Sequence, residues 1–148
     1  MYTLYIDTHF VKIVMGLFKN GELIYYKEVD SGKHTAIAVN LLYTLLLNNN
    51  LKVDDLSEVI VINGPGSFTG VRIGIVMAKM LGYTKNISIK ALSYLEALAL
   101  NYDEEIVLGI EDKNGVFAGK FNKNHELVGD YIYLNKNDVL NYKENIII

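Results

Sequence analysis

The chain has 148 residues, a formal net charge of −3, an apolar content of 51% and no cysteine. These values exclude disulfide and thiol chemistry and supply ample material for a real core. The mild acidity and the lack of any Lys/Arg-rich run argue against a chain that grips nucleic acid unaided, because phosphate neutralisation needs a basic patch. No apolar run approaches the length of a membrane span. The start, Met1-Tyr2-Thr3-Leu4, has no basic region, and Asp7 interrupts the apolar stretch that follows. A cytoplasmic location away from any membrane is therefore expected.

In chain order, Tyr2 to Asp7, Val11 to Phe18 and Glu22 to Val29 read as strands. Asn20-Gly21 between the last two is a strong hairpin signal, so the chain is expected to open with an antiparallel meander. Ser31-Gly32 breaks the pattern, and a helix from His34 to Leu47 ends at Asn48-Asn49-Asn50. Ser57 to Asn63 reads as a fourth strand. The segment Asn63-Gly64-Pro65-Gly66-Ser67-Phe68-Thr69-Gly70-Val71-Arg72-Ile73-Gly74 follows and leads into a helix reaching Gly82. Asn86 to Lys90 reads as a short strand. Ser93 to Asn101 reads as a helix, with Ser93 and Glu96 spaced as a capping box.

Beyond that point Glu105 to Ile110 reads as a strand and Asn114-Gly115 as a turn. Val116 to Phe121 and Leu127 to Tyr133 read as a hairpin around Asn122-Lys123-Asn124-His125. Asn137 to Tyr142 reads as a short helix. Asn145 to Ile148 reads as the start of a strand, an aggregation liability if its edge lacks a neighbour. The expected fold class is α/β. Three antiparallel strands followed by αβαβα is the order of an actin-like ATPase, or ribonuclease-H-like, half-domain. The expected division is an N-terminal domain over residues 1–102 and an abbreviated C-terminal hairpin subdomain, the start of a second α/β subdomain, over residues 103–148.

The glycine-rich segment holds the only proline. Gly64 and Gly66 permit positive φ or close backbone approach, and Pro65 suits a tight turn. Ser67 and Thr69 are candidate N-caps. Gly70, Gly74 and Ala78 recur at spacing four and let another backbone approach one helix face. Two readings stay open from the residues alone, a structural turn with close helix packing and a cradle for an anion. The loop has no Walker lysine: Val71 and Arg72 follow its last glycine.

The two long helices are more apolar than a single sheet-facing stripe requires. In the first, Ile37, Leu41 and Leu45 form one row, while Val39, Leu42, Tyr43, Leu46 and Leu47 point elsewhere. In the second, Arg72 and Lys79 are the charged residues up to Leu81, seven apart and so on one side. Deep burial is one explanation, and coverage of the outward faces by another chain is the other.

GPGSFTGVRIG resembles the signature of the TsaB (YeaZ) family. Ile6-Asp7-Thr8, the histidine opening the first helix, Ala78-Lys79 and Ala91-Leu92-Ser93-Tyr94-Leu95-Glu96-Ala97-Leu98-Ala99 fit that family in the same order. The likeness covers about the first hundred residues, and family members continue well beyond residue 148. It implies a non-catalytic scaffold and activator subunit in synthesis of the tRNA threonylcarbamoyladenosine modification (t6A). A TsaD-like partner would supply the chemistry and a TsaE-like ATPase would be a third member. A homodimer is possible, no cofactor is implied, and tRNA is met through the complex.

The resemblance implies a signature loop of Gly64, Pro65, Gly66, Ser67, Phe68, Thr69, Gly70, Arg72 and Gly74. It implies a partner interface on the two helices, and the residues taken for it are His34, Ile37, Ala38, Leu41, Leu42 and Leu45 with Val71, Gly74, Ile75, Met77, Ala78 and Leu81. Catalytic relatives carry His-Leu-Glu-Gly-His after the signature loop. Aligned through Leu95-Glu96, this chain has Tyr94 and Leu98 where those histidines stand, and neither can be an imidazole ligand. An alternative is a small ATPase or kinase of the same fold, using Asp7 and Thr8 at the first strand's end with the glycine-rich loop. Asp7 reads more simply as a strand-end cap, since no second acidic ligand stands at a clear spacing. A peptidase finds neither a nucleophile–base pair nor a zinc motif. His9, His34 and His125 form no ligand pair.

Overall fold

The computed structural model describes residues 1–30 and 34–148, with His34 and Thr35 described in backbone only. The break at Ser31-Gly32 thus lies outside the described residues, as does the His34 side chain. Contacts divide the chain into two units, Met1–Leu92 and Ser93–Ile148.

The first unit is a five-stranded sheet in the order β3-β2-β1-β4-β5. It is built from β1 (Tyr2–Asp7), β2 (Lys12–Lys19), β3 (Glu22–Asp30), β4 (Leu56–Ile62) and β5 (Ser88–Leu92). The first three are antiparallel, and β4 and β5 join in parallel. The β2–β3 turn places Asn20 at φ 52° and Gly21 at φ 87°, the two left-handed positions a two-residue hairpin turn demands.

Helices α1 (His34–Asn48) and α2 (Phe68–Lys85) lie on one face of this sheet. Period-two alternation puts Leu4 and Ile6, then Ile13, Met15 and Leu17, then Val59 and Val61 on that face. Ala38, Leu41 and Leu45 of α1 and Met77, Ala78 and Leu81 of α2 complete the core. Ser67 caps α2, its hydroxyl accepting from the Gly70 N–H at 3.3 Å, and Asn86 closes it in the left-handed conformation. Thr69, the other candidate cap, lies inside the helix.

The second unit is a four-stranded sheet ordered β8-β7-β6-β9. Its strands are β6 (Ile106–Glu111), β7 (Gly115–Phe121), β8 (Ile132–Asn135) and β9 (Ile146–Ile147), with α3 (Tyr94–Ala99) and α4 (Lys136–Asn141). Ile106 and Leu108 pack with Leu95 and Ala99 of α3 on one face. Val107 packs with Val116, Ala118 and Val139 of α4 on the other. The Ser93–Glu96 capping box is present, with the Ser93 N–H donating to Glu96 at 2.6 Å.

Two expectations change here. Leu127 to Tyr133 is not one strand. Only Leu127 bridges back to Phe121, Gly129 turns the chain at φ 79°, and β8 starts at Ile132. Tyr131 leaves the ladder to stack on Phe117 at 5.2 Å. The C-terminal strand has a neighbour, since Ile146 and Ile147 pair in parallel with Val107 and Leu108.

Candidate functional site

The glycine-rich loop closes onto the end of β1. The Ser67 N–H donates to the His9 carbonyl at 2.7 Å. The Thr8 hydroxyl, fully buried, donates to the Gly70 carbonyl at 2.7 Å and accepts from the Gly74 N–H at 3.1 Å. The glycines make this fit possible. A Cβ on Gly66 would lie 2.4 Å from the His9 carbonyl oxygen, one on Gly70 2.0 Å from that of Thr8, and one on Gly74 2.6 Å from the Thr8 hydroxyl. The spacing-four row therefore receives a strand end of its own unit, and the loop amides at Ser67, Gly70 and Gly74 already have protein acceptors. Gly64 takes φ 111° ahead of a cis bond to the half-buried Pro65.

Asp7 is buried, and one of its oxygens accepts from both the backbone N–H and the ring Nδ1 of His9. Its other oxygen accepts from the Tyr5 hydroxyl at 3.3 Å. Asp7 and Thr8, the nucleotide-site candidates, are both engaged within β1 and the loop. Among the described residues no group of three His, Cys, Asp or Glu could hold a metal ion. On α3, Tyr94 is half-buried and Leu98 packs into the Leu95–Phe121 cluster.

The helices present a different surface. Ala38, Leu41, Leu45, Gly74, Met77, Ala78 and Leu81, assigned to the interface from sequence, are buried. Ile37, Leu42, Val71 and Ile75 are half-buried. The buried set fixes the helices to the sheet. The side chains pointing away are Val39, Tyr43 and Leu47 on α1, one turn apart, and Phe68, Val76, Met80 and Tyr83 on α2. They are exposed by between 51% (Val39) and 93% (Tyr83), values too high for side chains sealed by their own chain.

The sequence reading named Val39, Tyr43 and Leu47 as pointing away from the first helix's main row but left them, with Val76, Met80 and Tyr83, out of the expected interface, because only packing decides which stripe meets the sheet. A groove of about 340 Å³ runs between the helices, lined by Val39, Thr69, Arg72, Ile73, Val76, Met77 and Met80. Arg72 is exposed and its guanidinium lies 5.1 Å from the Phe68 ring centroid.

The family model for TsaD, tRNA N6-adenosine threonylcarbamoyltransferase, matches residues 28–127. The chain belongs to the TsaD/TsaB (YeaZ) family. It is 44% identical over 68 residues to "tRNA threonylcarbamoyladenosine biosynthesis protein TsaB" of Bacillus subtilis, a match covering 46% of this chain and 30% of that protein. Among solved structures, YeaZ from Pseudomonas aeruginosa superposes with a TM-score of 0.79 at 22% identity, over 91% of this chain and 69% of that one. The Lmo2764 protein of Listeria monocytogenes, described as a candidate N-acetylmannosamine kinase, superposes at 0.55 and 17% identity over 86% of this chain and 49% of that one. The fold is thus actin-like. This TsaB/YeaZ chain spans 30% to 61% of the length of the TsaB-named curated relatives it matches. Among its described residues no helix is long and apolar enough to cross a membrane.

Proposed function

We propose that this chain is a non-catalytic scaffold and activator in the synthesis of tRNA N6-threonylcarbamoyladenosine. In this reading the outer side of α1 and α2 docks a TsaD-like catalytic subunit, a TsaE-like ATPase joins the assembly, and tRNA is met through the complex in the cytoplasm. The observation that carries it is the exposed apolar row of Val39, Tyr43, Leu47, Val76, Met80 and Tyr83 around the interhelical groove. The names of the TsaB relatives supply the pathway.

The roles divide by chemistry. The glycine clasp on Thr8 holds α2 rigid against β1, and the buried faces of both helices set their separation. A preorganised apolar face loses little freedom on docking, so most of the area it buries contributes to affinity. The partner contributes metal and transfer chemistry, for which this chain presents no ligand cluster among its described residues.

The test is co-purification of this chain with the TsaD-like protein of its own genome, then a tRNA modification assay with and without it. A stable complex and chain-dependent modification support the proposal. Modification at full rate in the chain's absence removes it.

A further inference from the structure

An asparagine followed by glycine loses its side-chain amide readily, because the glycine nitrogen has no Cβ beside it to hinder attack on the asparagine side chain. The chain has three such pairs, Asn20-Gly21, Asn63-Gly64 and Asn114-Gly115. All three asparagines are exposed. Gly64 and Gly115 are buried, and Gly21 is open to water.

The environments differ at the reacting nitrogen, which must give up its proton before it attacks. The Gly115 N–H donates to the Asp112 carboxylate at 2.9 Å, and the Asn114 N–H donates to the same oxygen at 2.7 Å. A carboxylate both holds that proton and opposes the amide anion that its loss would create. The Gly115 carbonyl accepts from the Asp112 N–H at 2.8 Å, and a Cβ on Gly115 would lie 2.0 Å from the Leu134 carbonyl oxygen. Asn63 is tied by its own N–H, which donates to the Leu92 carbonyl at 3.0 Å, and its buried glycine enters the clasped loop. Both pairs react only when their segment opens.

The Asn20-Gly21 turn lacks these locks. The Gly21 N–H has no acceptor among the described residues, and no atom beyond its chain neighbours lies within 4 Å of where a Cβ would stand. The Met1 nitrogen donates to the Asn20 Oδ1 at 2.8 Å. That oxygen gains negative charge as the side-chain carbon is attacked, and a donor on it favours the charge.

We propose that Asn20 is a self-modifying site, converting to aspartate and isoaspartate, and that Asp112 shields Asn114 from the same reaction. The Gly21 nitrogen loses its proton to water and bonds to the Asn20 Cγ. The Cγ–Nδ2 bond breaks, and the side-chain nitrogen leaves as ammonia with a proton from water. The cyclic imide so formed is opened by a second water at either carbonyl. One opening gives aspartate, and the other gives isoaspartate, whose main chain runs through the side-chain carbon. The net change is water taken up and ammonia released, with nothing oxidised or reduced.

Isoaspartate lengthens the main chain of a turn whose two residues are both left-handed and whose flanking Lys19 and Glu22 pair directly. The longer connection no longer matches a two-residue hairpin turn. β3 is the sheet edge, held by β2 alone, so its Glu22 end frays first. The new carboxyl belongs to the substrate class of isoaspartyl methyltransferases, which use S-adenosylmethionine as methyl donor.

The test is incubation of the folded full chain at physiological temperature and mildly alkaline pH, with peptide mass spectrometry at each asparagine. An isoaspartyl methyltransferase with labelled S-adenosylmethionine counts isoaspartate independently. Asn20 is expected to convert at least about tenfold faster than Asn63 or Asn114 in the folded chain, and the three rates to come within about threefold of each other in denaturant. Asp112→Ala should speed Asn114 by about tenfold in the folded chain. Asp112→Asn keeps an acceptor but removes the charge; it serves if the alanine variant does not fold and should give a smaller rise. Hydrogen exchange in the aged chain should quicken at the Glu22 end of β3 and stay unchanged in β6 and β7.

Asn20 that stays an amide in the folded chain while converting in denaturant overturns the assignment. Equal rates at the three pairs in the folded chain overturn it likewise. An Asn114 rate unmoved in the folded Asp112 variants overturns the shielding.

Discussion

Thr8 and Gly70 are locked together across 62 residues of sequence, the Thr8 hydroxyl donating to the Gly70 carbonyl at 2.7 Å while its own carbonyl leaves no room for a Cβ on Gly70. The same hydroxyl accepts from the Gly74 N–H. Both contacts are buried, so replacing the hydroxyl by a methyl removes one bond from the Gly70 carbonyl and one from the Gly74 N–H. Thr8→Val is expected to lower stability by about 1–3 kcal/mol, read from denaturant midpoints. Gly70→Ala should be worse, because its new atom meets backbone that cannot yield. Gly74→Arg is a fold-breaking change too, because its side chain would enter the buried space held by the Thr8 hydroxyl, Val61 and Ile6, and it is not a probe of docking.

The outward row gives the opposite signature. Val76→Glu and Met80→Glu put charge on exposed positions and should leave the unfolding midpoint nearly unchanged. Both should weaken capture of the TsaD-like partner, because each places a carboxylate that must lose water in an apolar contact. Leu45→Ala, by contrast, empties a fully buried site and is expected to cost about 2–5 kcal/mol, with docking lost only in proportion to folding.

Asp7 offers a test of the nucleotide alternative. Its carboxylate is held by His9 and Tyr5, and the Ser67, Gly70 and Gly74 amides bond within the protein. Calorimetry with magnesium-ATP is expected to detect no Asp7-dependent binding by the isolated chain. Tight binding lost in Asp7→Ala would return the ATPase or kinase reading to first place.

The second unit has a pH-dependent turn. Asp112 is held below the usual carboxylate range, first by the Asn114 N–H and then by the Tyr133 hydroxyl and the Gly115 N–H. Its carboxylate form is favoured in the folded state. The stabilisation is therefore fully present above the unfolded value, about 3.9, and is lost as pH falls through the lower folded value. The stability difference between wild type and Asp112→Asn should be constant at neutral pH and shrink only in strong acid. Tyr131 moves the other way: burial raises its phenol, partly offset by the bond to Ser93. Its contribution holds below the unfolded value, about 10, and fades as pH rises beyond it. Difference titration against Tyr131→Phe reads this directly.

What the sequence revealed and what it hid follow from locality. Asn20-Gly21, Ser93–Glu96 and the Ser67 cap are decided within four residues, and each appears in the structure as expected. The glycine row announced a close approach, but its partner, the Thr8–His9 backbone, is set by the parallel pairing of β1 with β4. The Leu127–Tyr133 segment misled because Tyr131 and Leu127 are apolar for the sake of Phe117 and Phe121, which mimics strand alternation. On α1 and α2 the excess of apolar residues was legible. Which of them face outward was not, since a helix apolar on most sides carries no periodic signal for its orientation.

The most direct measurement is amide hydrogen exchange of this chain alone and mixed with the TsaD-like protein of its genome. The account predicts slowed exchange across the exposed stretches of α1 and α2, Val39–Leu47 and Phe68–Tyr83, with little change in β6–β8. A complex that forms while both helices exchange as fast as in the free chain would contradict it.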